Sequence, residues 1–327
     1  MTTRGSRIDW LIFLALGFLW GSSYLFIKIG VDHGLQPFTL IMFRLAIGFA
    51  LLATVVAVAR EPLPRDPRMY GHLFVMGVVN IAIPFSLITY AEQTVDSSLA
   101  AVINGAVPLF VIVVAAIFLK GETITINRVV GLAIGFVGVA ILVGFDISDL
   151  GSANTLGELA LIGSTLSYAG GAVYAKAHIH GLRPMIPAIG QVFFGLVVIS
   201  VLALVTEHPF AVVPEPEAIF AVVWLGLLGS GLAYLAFFRI LGAWGATRTS
   251  MVAYLLPVYG IALGAIVLSE PIAASTLLGT ILVIAGIALV NSRYGTRPLF
   301  ARRADAAATA PVAAPAGGVT QPGPGKP

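Results

Sequence analysis

The chain has 327 residues, of which 58% are hydrophobic and only 10% charged, with a net charge of +3 and no cysteine. A soluble domain carries about 25% charged residues, so this composition excludes one. The missing thiols also exclude disulfides and thiolate metal sites, and the small positive charge does not point to nucleic acid, because the basic residues are dispersed among apolar segments.

Apolar runs such as 74–91 match the roughly 20 residues a helix needs to cross hydrocarbon and exceed the about 10 of a barrel strand. Backbone groups in lipid must be satisfied within the segment, so the expected fold is an all-α membrane protein. In chain order, helices are predicted near 9–29, 37–59, 72–91, 97–119 and 127–145, then near 157–178, 185–206, 217–238, 246–269 and 274–292, giving ten transmembrane helices. The first follows Arg4 and Arg7 but ends at Lys28 without a small-residue cleavage site, so it is expected to be retained. Residues 296–327 are mostly Ala, Pro and Gly and are expected to form a disordered cytoplasmic tail.

Placing the N-terminus in the cytoplasm puts every Lys and Arg on that side except Lys28 and Arg44. The opposite loops carry the acids, among them Asp32, Glu92, Asp96, Glu158, Glu207 and Glu270. Both termini of this cell-membrane protein are therefore expected inside.

The helices form two copies of one pattern, 8–145 and 156–293. Pro257 repeats Pro108, Glu270 repeats Glu122, Gly279 repeats Gly131 and Gly286 repeats Gly138, at displacements of 148 or 149 residues. Trp20 pairs with Tyr168, Lys28 with Lys176, Arg44 with Gln191, Gly48 with Gly195 and Gly77 with Gly226 at displacements of 147 to 149. Five helices is an odd number, so the second copy enters from the opposite face. Inverted repeats of this kind place a site near mid-depth and support alternating access.

The series Leu19-Trp20-Gly21-Ser22-Ser23 through Lys28, Pro37 followed by Arg44, Tyr90-Ala91, Pro108, Glu122, Gly131 and Gly138 resembles the EamA domain of the drug/metabolite transporter superfamily, present twice. The resemblance covers nearly all of the chain outside the tail. It implies ten helices, two EamA repeats and export or exchange of small metabolites or drugs. The second copy departs from it where Tyr168-Ala169-Gly170 stands for Trp20-Gly21-Ser22 and Gln191 for Arg44, so the site should be asymmetric.

Arg44 is the eighth residue of a helix starting at Pro37, where a charge must face water, a partner or the interface. The alternative is a guanidinium that snorkels or pins neighbouring helices. Trp20 and Tyr168 lie mid-span, away from the interfaces where such aromatics gather. Asn80 and Asn104 are also mid-span and either bind solute or lock helices together. One cavity is expected between the halves, lined by Trp20, Tyr24, Asn80, Asn104, Tyr168, Tyr174, Tyr234 and Tyr254 with Arg44 at its outer edge, suited to amphiphilic or zwitterionic solutes such as amino acids. Pro84, Pro108 and Pro257 each remove a backbone donor within a helix and are expected hinges. Glu122 and Glu270 precede helices and are expected to cap them.

No cofactor or metal is expected, since the five His lie at helix ends or in loops. The same placement disfavours an intramembrane enzyme, which needs a nucleophile and base at one depth. A non-transporting assembly subunit is the other alternative, and either a monomer or a homodimer fits. No Asp, Glu or His falls at mid-span, so facilitated or exchange transport is expected; the alternative is proton coupling through Glu92 or Glu158 at the outer mouth, or by a substrate that carries its own proton.

Overall fold

A computed structural model describes residues 6–119, 125–144, 152–183, 185–211 and 213–292. The helices are α1 (Arg7–Asp32), α2 (Pro37–Val58), α3 (Pro67–Ala91), α4 (Ser97–Phe118), α5 (Ile126–Val143), α6 (Ala153–His178), α7 (Met185–Thr206), α8 (Pro216–Trp244), α9 (Ser250–Val267, after a turn Ala246–Thr249) and α10 (Ala274–Val290). Eight of these are long and apolar enough to cross a membrane. The other two are α10, which is apolar but 17 residues long, and α6, which has 26 residues and carries Asn154, Glu158, Ser164, Thr165 and Lys176. Glu122 and the tail 296–327 lie outside the described residues.

The starts follow from local chemistry. Ser6 and Asp9 form a reciprocal cap on α1, while α2 and α3 open with Pro37 and Pro67, whose missing N–H is no loss in a first turn. Four helices change winding or break along their length. A π segment, Val78–Ala82, interrupts α3 just before Pro84, and its counterpart Trp224–Leu232 interrupts α8 without a proline. The helix α4 breaks between Gly105 and Val107, beside Pro108. In α9 a 3-10 turn, Ser250–Tyr254, gives way to α-helix just before Pro257.

The halves are interleaved. The closest contacts run between halves, with α1, α2, α8 and α9 on one side and α3, α4, α6 and α7 on the other, the two sides joined where α2 meets α7 and α4 meets α9, and α5 packed along α10. Pseudo-twofold symmetry is visible in single contacts: a Cβ on Gly131 would lie 2.7 Å from the Gly286 carbonyl, and one on Gly138 would lie 2.8 Å from that of Gly279. Lipid offers no hydrophobic drive for association, so this backbone-to-backbone approach supplies the packing. Large apolar side chains such as Phe118, Val205, Ile266 and Ile281 are exposed on the perimeter, as a bilayer permits.

The cap expected of Glu270 on the helix that follows it is corrected. The carboxylate of Glu270 instead accepts from Ser97 N (2.8 Å), Ser97 Oγ (2.8 Å) and Ser98 N (3.0 Å), closing the N-terminus of α4 in the other half. There the boundary residue Asp96 makes no side-chain cap of its own, so the exposed N–H groups recruit a carboxylate from across the bundle. α10 likewise has no side-chain cap at Ala273. Glu207, at the end of α7, does the same for α2 through Phe38 N (2.9 Å), Thr39 N (2.6 Å) and Thr39 Oγ1 (2.9 Å).

Candidate substrate site

Arg44 reaches the seam where the two sides meet. Its side chain is buried, its Nε donates to Ser230 Oγ at 2.9 Å, and its Cζ lies 4.3 Å from the ring centroid of Phe85. Ser230 belongs to the π segment of α8 and Phe85 to α3, so the guanidinium bridges both sides. The phenols of Tyr168, Tyr234 and Tyr24 and the carboxyl of Glu92 are all within its electrostatic reach. Among the described residues, no carboxylate forms an ion pair with it.

Around it the expected residues divide. On α1, Trp20, Tyr24 and Lys28 recur every four residues and so share one face. Trp20 packs against Tyr234 (6.4 Å between ring centres) and Phe237 (5.4 Å), and Tyr24 is buried. Tyr168 and Tyr234 are half-buried, and both lie within electrostatic reach of Arg44. Asn104 accepts from Ser164 Oγ at 3.0 Å, which ties α4 to α6 one turn from Tyr168. Asn80, in the π segment of α3, donates to Gln191 Oε1 at 2.7 Å and sits against Gly171 of α6. Both amides therefore lock helices and border the cluster.

Tyr174 and Tyr254 are elsewhere. Tyr174 hydroxyl bonds to His72 at 2.7 Å and its ring stacks on His178, while Tyr254 hydroxyl accepts from Asn291 at 3.0 Å. Both positions are near the helix ends on the face predicted to be cytoplasmic. A groove of about 520 Å³ lies on another face of α1, lined chiefly by Phe18, Ser22, Phe26, Phe220 and Trp224. It is almost wholly apolar, and within its lining Trp224 Nε1 donates to Ser22 Oγ at 3.1 Å.

Two residues with polar roles were not singled out for the site. Ser230 sits beside the repeated Gly226, and Gln191 is the equivalent of Arg44, so the internal repeat held the signal for both. A surface group of His33, Glu215 and Glu217 brings ligand-type atoms within 4.8 Å of one another, but the two carboxylates are exposed.

Inverted, interleaved halves with a buried cation and aromatic side chains at their seam define a membrane transporter. Residues 8–144 and 155–292 each match the EamA-like transporter family, and the chain belongs to that family. It is 30% identical over 253 residues to an uncharacterized inner membrane transporter, YedA, of Escherichia coli, covering 76% of this chain and 79% of that one. It is 25% identical over 288 residues to an uncharacterized transporter, YoaV, of Bacillus subtilis, covering 87% and 97%. Protein PecM of Dickeya dadantii is 25% identical over 287 residues, covering 87% and 91%. A solved crystal structure at 20% identity superposes with a TM-score of 0.63 over 87% of this chain and 96% of the other, a likeness of fold.

Proposed function

We propose that this chain is a secondary transporter that exports or exchanges small solutes bearing a carboxylate beside an apolar or amino group, amino acids and related metabolites foremost, by alternating access. The observation that carries the reading is Arg44. A buried guanidinium with one hydrogen-bonded partner and no carboxylate counter-ion among the described residues has donors to spare for an anionic group. Trp20, Tyr24, Tyr168 and Tyr234 supply an aromatic surround for the rest of the solute. Pro84, Pro108 and Pro257, beside the changes of helical winding, act as hinges, and both termini face the cytoplasm. The purified protein in proteoliposomes, offered a panel of labelled amino acids and neutral or cationic analogues, should move carboxylated members and lose that flux with Arg44→Gln. Flux confined to solutes without a carboxylate would refute the assignment.

A further inference from the structure

The turn between α3 and α4 contains a carboxyl that the transport site does not use. Glu92 is 0% exposed, and neither of its carboxyl oxygens has a hydrogen-bond partner among the described residues. One turn back on α3, the buried hydroxyl of Thr89 is likewise without a partner. A buried carboxylate without donors disfavours its ionised form, and such a group relieves this by taking up a proton.

The charges nearby do not relieve it. On α1, the Lys28 ammonium is spent on the backbone carbonyl of Glu92 (2.8 Å) and on Asp32 (3.4 Å). Arg44 on α2 holds Ser230 and lies over Phe85. Asp32 and, from the turn before α10, Glu270 add negative charge, and the Tyr24 hydroxyl is the remaining titratable neighbour. The two buried-face carboxyls differ in kind: Glu270 accepts three donors from Ser97 and Ser98, and Glu92 accepts none.

We propose that Glu92 is a proton-binding site, its carboxyl neutral in this arrangement and releasing its proton to water when the face bearing the 92–96 turn opens. Lys28, already held at the Glu92 carbonyl, then serves as the partner of the ionised carboxylate. The bonds from Lys28 to Glu92 and from Glu270 to Ser97 and Ser98 tie α1, this turn and the turn before α10 together, so opening that face and exposing Glu92 are one event. The sequence-based expectation of facilitated or exchange transport had proton coupling at Glu92 or Glu158 as its alternative, and the full burial of Glu92, at the end of a span rather than at mid-span, favours that alternative. The coupling of this proton to solute movement rests on the transport reading above, whereas the proton site itself does not.

The experiment is an infrared pH titration of the full chain in lipid nanodiscs, reading the band of a protonated carboxyl, with hydrogen exchange of residues 92–98 measured in parallel. Wild type should retain a protonated-carboxyl band at pH values above the ordinary glutamate range, where an exposed carboxyl has already ionised. Glu92→Gln should lose it, Glu270→Gln should keep it, and Glu92→Asp should restore a band of shifted midpoint, which shows that the loss is not a folding defect. Compared at equal pH, exchange in 92–98 should rise above that of Glu92→Gln as the band disappears. No such band in wild type, its survival in Glu92→Gln, or exchange identical in the two proteins would overturn the proposal. Absence of solute flux would count against transport alone and leave the titration result standing.

Discussion

Arg44 and Gln191 occupy equivalent positions in the two halves, and each reaches from its helix into the π segment of a helix from the opposite half. Arg44 Nε meets Ser230 of α8 at 2.9 Å, and Gln191 Oε1 meets Asn80 of α3 at 2.7 Å. The backbone approach is shared as well, with Gly48 against Gly226 on one side and Gly195 against Gly77 on the other. One geometry thus carries a cation in one half and an amide in the other, and the pseudo-twofold is broken where the solute is proposed to bind. Cutting the neutral link tests its structural share: a double-mutant cycle with Asn80→Ala and Gln191→Ala should return a coupling of about 0.5–1.5 kcal/mol in detergent unfolding. A coupling near zero would show that the two amides are not bonded to each other.

The α5–α10 seam should be intolerant of bulk. A Cβ on Gly286 would lie 2.6 Å from the Gly131 carbonyl and 2.6 Å from Gly135 N, both backbone atoms that cannot step aside. Gly286→Leu is expected to destabilise by about 1–3 kcal/mol or more, read as a lower thermal midpoint in nanodiscs. Gly242→Leu, where nothing lies within 4 Å, should stay near wild type.

Glu270 and Glu207 should act as separable inter-half caps. Each carboxylate serves two backbone N–H groups and one hydroxyl of a helix in the first half, so Glu270→Ala and Glu207→Ala are each expected to cost about 1–2 kcal/mol. They cap different helices and share no partner, so the losses should add in the double variant. Thermal unfolding of the three variants checks this.

Glu92 predicts the sign of a pH effect on stability. Burial pushes its carboxyl well above the usual value of 4.5, against the pull of Lys28. A raised folded-state value means the folded chain holds this proton more tightly than the unfolded chain, so the contribution is fully present below 4.5 and is lost as pH rises toward the folded value. Wild type should therefore lose thermal stability over that interval relative to Glu92→Gln, whose side chain has no proton to release. A Gln variant with the same pH slope as wild type would contradict this.

Much of the architecture was legible because lipid imposes it. All ten described helices begin within about five residues of the expected positions, since the apolar runs end at polar turns and the caps or prolines at Ser6, Pro37 and Pro67 mark the starts. The repeat spacing identified Gly131 with Gly279 and Gly138 with Gly286 as equivalents, and the contacts join them crosswise, Gly131 to Gly286 and Gly138 to Gly279. What spacing could not give was partnership across the interleaved halves. It assigned Glu270 to its own neighbour rather than to Ser97, and it placed Tyr174 and Tyr254 with Tyr168 although their hydroxyls are held by His72 and Asn291. The π segments around Asn80 and Ser230 were hidden because a change of winding leaves the apolar pattern intact.

The most direct measurement of the central claim is labelled-solute flux in proteoliposomes containing the purified full chain, comparing wild type, Arg44→Gln and Arg44→Lys. A charged hydrogen bond to the solute is worth about 1.5–3 kcal/mol, so Arg44→Gln should weaken apparent affinity for carboxylated solutes by roughly 10- to 100-fold. Arg44→Lys, which keeps the charge and loses the fork, should fall between. Unchanged carboxylate affinity in a folded Arg44→Gln protein would contradict the account.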